Sequence, residues 1–251
     1  MADAALLLDV MSGNFPGDMY TLPPLPSGES FLAYASRPPG RLRIGRTLQN
    51  PVEGADVHPD CVNAYEDAST LLASMGHEVE DMALPVGPDM VPFFEILWYA
   101  YATLTPVTLE QEELLLPLTR YMRERGQAIT TPDLLFAQGY LQFVTRMALA
   151  TLNAYDVILS PTLARPPVPV GYFDEVDPPE NFERQKRFAP FPGLYNVTGQ
   201  PAVNVPLYWS DAGLPIGVML AGRMGDERTL ISLSAQLEEA RPWKDRHPPI
   251  W

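Results

Sequence analysis

Two lysines, three histidines and one cysteine are the strong bases and nucleophiles that this 251-residue chain adds to its hydroxyls. An activated serine needs a base within hydrogen-bond reach and an oxyanion site beside it. Lys186 falls in the charged run Glu183-Arg184-Gln185-Lys186-Arg187, and Lys244 falls in Trp243-Lys244-Asp245-Arg246. Both read as solvated, because lysine is rarely buried. No serine lies in a Gly-Ser cluster or a G-x-S-x-G elbow, and Ser160 precedes Pro161 as a turn residue would. His58 precedes a helical pattern, His77 opens a strand-like run and His247 lies in a proline-rich tail. A Ser-His-Asp triad can assemble from distant segments, but these residues need no chemistry to explain them. His77-Glu78-Val79-Glu80-Asp81 begins like a zinc-protease motif, yet Asp81 stands where the second histidine belongs, so no metal site is expected. Cys61 has no basic neighbour in sequence to lower its pKa and reads as a packing residue. No catalytic residue is assigned within the chain.

Composition narrows the remaining classes. With 46% apolar residues the chain can bury a sizeable core, and we expect one domain over residues 1–251. Its 31 acidic against 17 basic residues give a net charge of −14, which repels nucleic acid and anionic membranes. Neither is an expected partner. One cysteine cannot form an internal disulfide, and no basic region precedes the apolar residues 4–11, so the expected compartment is the cytoplasm. The apolar run 90–107 contains Glu95 and is interrupted by Pro92 and Pro106. It is too broken for a span of about 20 apolar residues and predicts a buried or pocket-lining helix.

The elements that must position any site follow from periodicity. Residues 2–13 predict a helix, residues 14–40 an extended Pro/Gly-rich connection, and residues 41–46 a short strand. Val62, Tyr65, Ala68, Leu72 and Met75 recur at helical spacing between Pro59 and Gly76. A strand over 77–84 follows, then helices over 89–104, 109–125 and 132–154, the last capped by Thr130 or Thr131. Residues 155–159 predict a strand ending at Ser160-Pro161-Thr162, and the proline-rich, charged residues 165–189 predict a long loop. Val203, Val205 and Leu207 alternate, as do Ile216, Val218 and Leu220, giving a hairpin around Ser210-Asp211-Ala212-Gly213. Asp226 opens a closing helix that ends before Pro242.

Several blocks, in order, carry a resemblance: Ala2-Asp3-Ala4-Ala5-Leu6-Leu7-Leu8, the helix-strand of 58–84, Tyr155 to Thr162, Asn196-Val197-Thr198-Gly199-Gln200-Pro201-Ala202, and Gly213-Leu214-Pro215-Ile216-Gly217-Val218. Together they resemble the later part of amidase signature enzymes. The resemblance implies an α/β fold, a mixed β-sheet covered by helices on both faces, here incomplete. It implies hydrolysis of carboxylic amides through an acyl-enzyme, without metal or organic cofactor. It also implies that the catalytic lysine, the serine in a cis peptide and the nucleophilic serine belong to an upstream core that this sequence does not contain. The expected partner is a small-molecule amide, once an N-terminal half completes the site. The alternatives are a non-catalytic binding module or one half of a two-chain amidase, and we expect self-association through uncovered apolar faces.

The same resemblance places candidate substrate contacts at Thr162, at a strand end where α/β sheets bind ligands, and at Phe191, Tyr195 and Gly199. Gly199 and Pro201 also suit a turn that sets strand register. Glutamine-using relatives carry an acidic residue seven positions before the Asn of this block, and here that position is Ala189. A neutral or apolar amide is therefore the expected substrate. The aromatic run Phe93, Phe94, Trp98, Tyr99 and Tyr101 could line its pocket, although plain core packing is the stronger reading of that stripe.

Overall fold

The computed structural model describes residues 1–247. In chain order the elements are α1 (Ala2–Met11), α2 (Phe31–Tyr34), β1 (Arg43–Arg46), α3 (Pro59–Ser74), β2 (Glu78–Asp81), α4 (Val91–Ala102), α5 (Leu109–Glu112), α6 (Pro117–Gln127) and α7 (Thr131–Leu152). They continue as β3 (Val157–Pro161), α8 (Pro178–Phe188), α9 (Pro192–Thr198), β4 (Ala202–Trp209), β5 (Pro215–Gly222) and α10 (Glu227–Ala240). The strands form one sheet in the order β2-β1-β3-β5-β4. β1 is parallel to β2 and β3, whereas β5 is antiparallel to β3 and β4.

Alternation of side chains along the strands gives this mixed sheet two apolar faces. Val157 and Leu159 of β3, with Val218 and Leu220 of β5, join one core. α3 and α10 cover it, offering Ala64, Ala68 and Leu72 and Leu230, Leu233 and Leu237 at helical spacing. Ile158, Met219 and Ala221 face the other way and meet Ala148 and Leu152 of α7 and Leu194 and Tyr195 of α9. Each fully buried leucine contributes about 1.5–3 kcal/mol, so both faces hold the sheet in place. α1 and α2 pack beside α10 through Ala5, Phe31 and Ile231. Among the described residues, no helix is long and apolar enough to cross a membrane.

Local chemistry starts and stops the helices. His58 accepts the Asp60 N–H at 3.2 Å ahead of α3. Thr130 and Asp133 exchange hydrogen bonds at the start of α7 as a capping box. Pro92 stands in the first turn of α4, where a missing N–H costs nothing. Pro117 acts the same way, and it splits the single helix expected over 109–125 into α5 and α6. The strand expected over 77–84 is only β2. His77 lies outside it, buried, accepting the Leu42 N–H on Nδ1 at 3.2 Å and bonded through Nε2 to Gln236 at 3.1 Å.

The long loop expected over 165–189 is a misreading. A short 3₁₀ turn spans Tyr172–Glu175, and α8 follows. Asp177 accepts the Glu180 N–H at 3.0 Å, and Pro178 and Pro179 occupy the first turn. The prolines that suggested a loop are helix starters here, and Phe182 is driven into the interior at 2% exposure.

Candidate active-site pocket

Phe94 and Trp98 are four residues apart on α4, so they share a face, and their rings meet edge-on at 5.1 Å. That face divides two pockets. The larger, about 740 Å³, is bounded by Tyr20, by Tyr101 and by a polar strip of α7 formed by Gln138, Gln142, Thr145 and Arg146. The smaller, about 400 Å³, lies between α4 and α8 and is walled by Phe173, Phe182, Phe188 and Lys186 together with Pro190, Pro192 and Gly193. Asn196 borders both pockets. Thr145 donates to the Val197 carbonyl at 3.2 Å and ties the polar strip of α7 to the start of the Asn196 block.

The aromatic stripe thus divides by face. Phe94, Trp98 and Tyr101 line pocket surface. Tyr99 is buried against Tyr121 and Phe182, and burial followed by the Glu95 charge raises its pKa. Phe93 packs against Tyr140 with the rings tilted and their centroids 4.2 Å apart.

None of the four expected substrate contacts borders either large pocket. Phe191 and Tyr195 are buried in the core below α9, and burial raises the Tyr195 phenol's pKa. They do come together with Ser160 around a cavity of about 10 Å³, room for roughly one water. Thr162 donates to the Asn204 amide oxygen at 2.5 Å. Gly199 ends α9 with φ +73°, its N–H donating to the Tyr195 carbonyl at 2.9 Å. Beside it, Thr198 donates to Gln200, and Gln200 donates to the Gly222 carbonyl at 2.7 Å, stapling this block to β5.

Lys186 corrects a second expectation. Its side chain is 13% exposed, not solvated; the ammonium hydrogen-bonds Glu95 and lies 2.6 Å from Glu183. Burial opposes its charge, but the hydrogen bonds to Glu183 and Glu95 prevail, and its pKa stands above the usual lysine range. Its partners are carboxylates, not a serine hydroxyl. Lys244 is exposed, as expected. Ser160 is buried and donates to the Pro161 carbonyl. Arg146 and Lys186, the charged residues of these pockets, and Asn196, which borders both, are among the pocket residues that sequence reasoning missed. Arg146 had a signal, since Gln138, Gln142, Thr145 and Arg146 make a polar stripe at spacings of three and four on an apolar helix.

The family model described as Amidase matches residues 1–231, and the chain belongs to the amidase family. The 6-aminohexanoate-cyclic-dimer hydrolases of Paenarthrobacter ureafaciens and of Pseudomonas sp. (strain NK87) are each 30% identical over 270 residues, covering 99% of this chain and 53% of theirs. A solved structure of 6-aminohexanoate cyclic dimer hydrolase complexed with substrate matches with a TM-score of 0.83 at 26% identity, covering 99% of this chain and 55% of that one. A bacterial aryl acylamidase at 21% identity shares the fold, with a TM-score of 0.75. The chain spans about half the length of the curated relatives it matches.

Proposed function

We propose that this chain is the C-terminal half of an amidase, a single domain that supplies the sheet, the outer helices and one wall of a substrate pocket. The observation that carries this reading is the lopsided coverage: 99% of this chain but 55% of the substrate-bound relative matches at a TM-score of 0.83. The reaction is hydrolysis of a carboxylic amide to an acid and an amine through an acyl-enzyme. The lysine and two serines required for it come from the other half, because neither lysine here has a serine hydroxyl among its described partners. Phe94, Trp98 and Asn196 meet the substrate, while Thr162, Phe191, Tyr195 and Gly199 hold the wall behind them. The cytoplasm is the proposed compartment, which suits a buried cysteine without a disulfide.

A non-catalytic binding module is the second reading, and one observation favours it: the pockets of about 740 and 400 Å³ have aromatic walls and, among the described residues, no serine in their lining. One experiment separates the two. The purified chain is assayed on aliphatic and aromatic amides alone, and again after mixing with the N-terminal half of a 6-aminohexanoate-cyclic-dimer hydrolase. We expect no turnover alone and turnover in the mixture that a serine-directed reagent abolishes. Turnover by the isolated chain, or a folded mixed complex that never turns over, overturns the proposal.

A further inference from the structure

The smaller pocket is walled by aromatic rings, whose faces attract cations, and the cation that stands there is the protein's own. Lys186 is the one charged side chain among the described residues that line it. Its ammonium lies 5.2 Å from the centroid of Phe182. Glu183, one turn earlier on α8, and Glu95, reaching across from α4, both hold it. Neither glutamate lines the pocket. The three groups sum to one negative charge, with the positive member at the wall and neither negative member lining it.

We propose that Lys186 determines ligand specificity: its ammonium fills a cation seat made by Glu95, Glu183 and Phe182, so the pocket takes uncharged apolar groups and turns away alkylammonium ions. A ligand ammonium entering the pocket meets a like charge before it meets either carboxylate, at a separation where repulsion is weakly screened. An uncharged aryl or alkyl group meets only ring faces and proline. The buried ammonium stays protonated, since its bonds to the two glutamates raise its pKa. As a statement about substrates this rests on the amidase reading; as a statement about binding it does not.

The test measures binding by this chain, without turnover. Phenylacetamide and phenethylammonium, which share a ring and a chain length, are titrated by saturation-transfer NMR against wild type and Lys186→Met. Methionine keeps an unbranched stem and leaves both carboxylates exposed to the pocket. Wild type is expected to bind the amide about tenfold or more tighter than the ammonium, and the variant to invert that order. Lys186→Arg keeps the charge and is expected to keep the wild-type order. Wild type binding both probes alike, wild type binding neither, or an unchanged order in Lys186→Met overturns the proposal. If circular dichroism shows Lys186→Met unfolded, Glu183→Gln decides, because that side chain is half exposed. Removing one carboxylate is expected to raise phenylacetate binding severalfold, and no gain overturns the proposal. The inversion appearing while the reconstituted halves stay inactive sinks the amidase reading alone.

Discussion

Gly199 is held at φ +73° by its place at the end of α9, and a side chain there meets backbone strain before it meets a neighbour. The nearest atom to an added Cβ is the flexible end of Met224, at 3.7 Å. Gly199→Val is therefore expected to destabilise the chain by about 1–3 kcal/mol, read as a lower thermal midpoint. An unchanged midpoint with altered pocket binding removes the turn role. Gly217 presents the opposite case: an added Cβ runs into the Asn204 amide oxygen that accepts from Thr162. Gly217→Ala is expected to break that bond and to cost about 1–3 kcal/mol through overpacking. Thermal unfolding of Gly217→Ala beside Thr162→Val tells loss of the bond from the clash itself.

Cys61 is 2% exposed, and burial followed by the charge of Asp60 pushes its thiol up to about 11 from an ordinary 9.0. A folded-state pKa above the unfolded one means that unfolding releases a proton between these values. The thiol's contribution is whole below pH 9 and is lost as pH climbs toward 11. We expect slow labelling by a thiol reagent at pH 8 and prompt labelling after denaturation. Fast labelling of the native chain contradicts the burial that the core of α3 depends on.

At the level of elements, the helix that holds Lys186 depends on its cap. Asp177→Ala removes the acceptor for the Glu180 N–H and is expected to cost about 1 kcal/mol, with a parallel loss of affinity in the smaller pocket. Intact affinity with a lowered midpoint separates α8's stability from the shape of the pocket. α8 is also where sequence reading failed, because Pro178 and Pro179 punctuate a loop and start a helix with equal ease, and only the burial of Phe182 decides between them. Elements with a one-dimensional pattern were legible: the apolar spacing of α3, the alternation of β4 and β5, the threonine cap of α7. The resemblance to amidase signature enzymes also held, since it rests on several blocks in order. The pocket was legible only in part. Phe94 and Trp98 could be named as candidates, but Lys186 could not, since its burial depends on Glu95, 91 positions away. Phe191, just ahead of α9, and Tyr195, within it, border neither large pocket and are buried in the core, a difference of helical phase that no spacing rule in a seven-residue helix could fix.

Across the whole molecule, two helices carry groups of exposed apolar side chains. Leu6, Leu7, Val10 and Met11 stand out from α1, and Phe136, Phe143 and Met147 stand out along one side of α7. Exposed apolar patches of this kind mark contact surfaces. We expect concentration-dependent self-association of the isolated chain. Val10→Ser combined with Phe136→Ser and Phe143→Ser is expected to weaken it by about tenfold or more, moving the mass by light scattering toward the 27.9 kDa of one chain. A wild-type chain that is monomeric throughout the concentration range removes the contact role from these faces.

The placement of β1 beside β3 has a consequence for how the molecule is made. The Arg43 N–H is held by the carboxylate of Asp156, 113 positions later, and β3 in turn leans on β5, which is synthesised later still. At about 5–20 residues per second, a ribosome needs on the order of ten seconds to deliver the strand that β1 is waiting for. During that interval β1 and β2 form at most a two-strand parallel ribbon, an arrangement that is intrinsically slow to form and prone to aggregation. The yield of folded chain should therefore depend on translation speed and on chaperones that bind nascent chains, more than on the stability of the finished sheet.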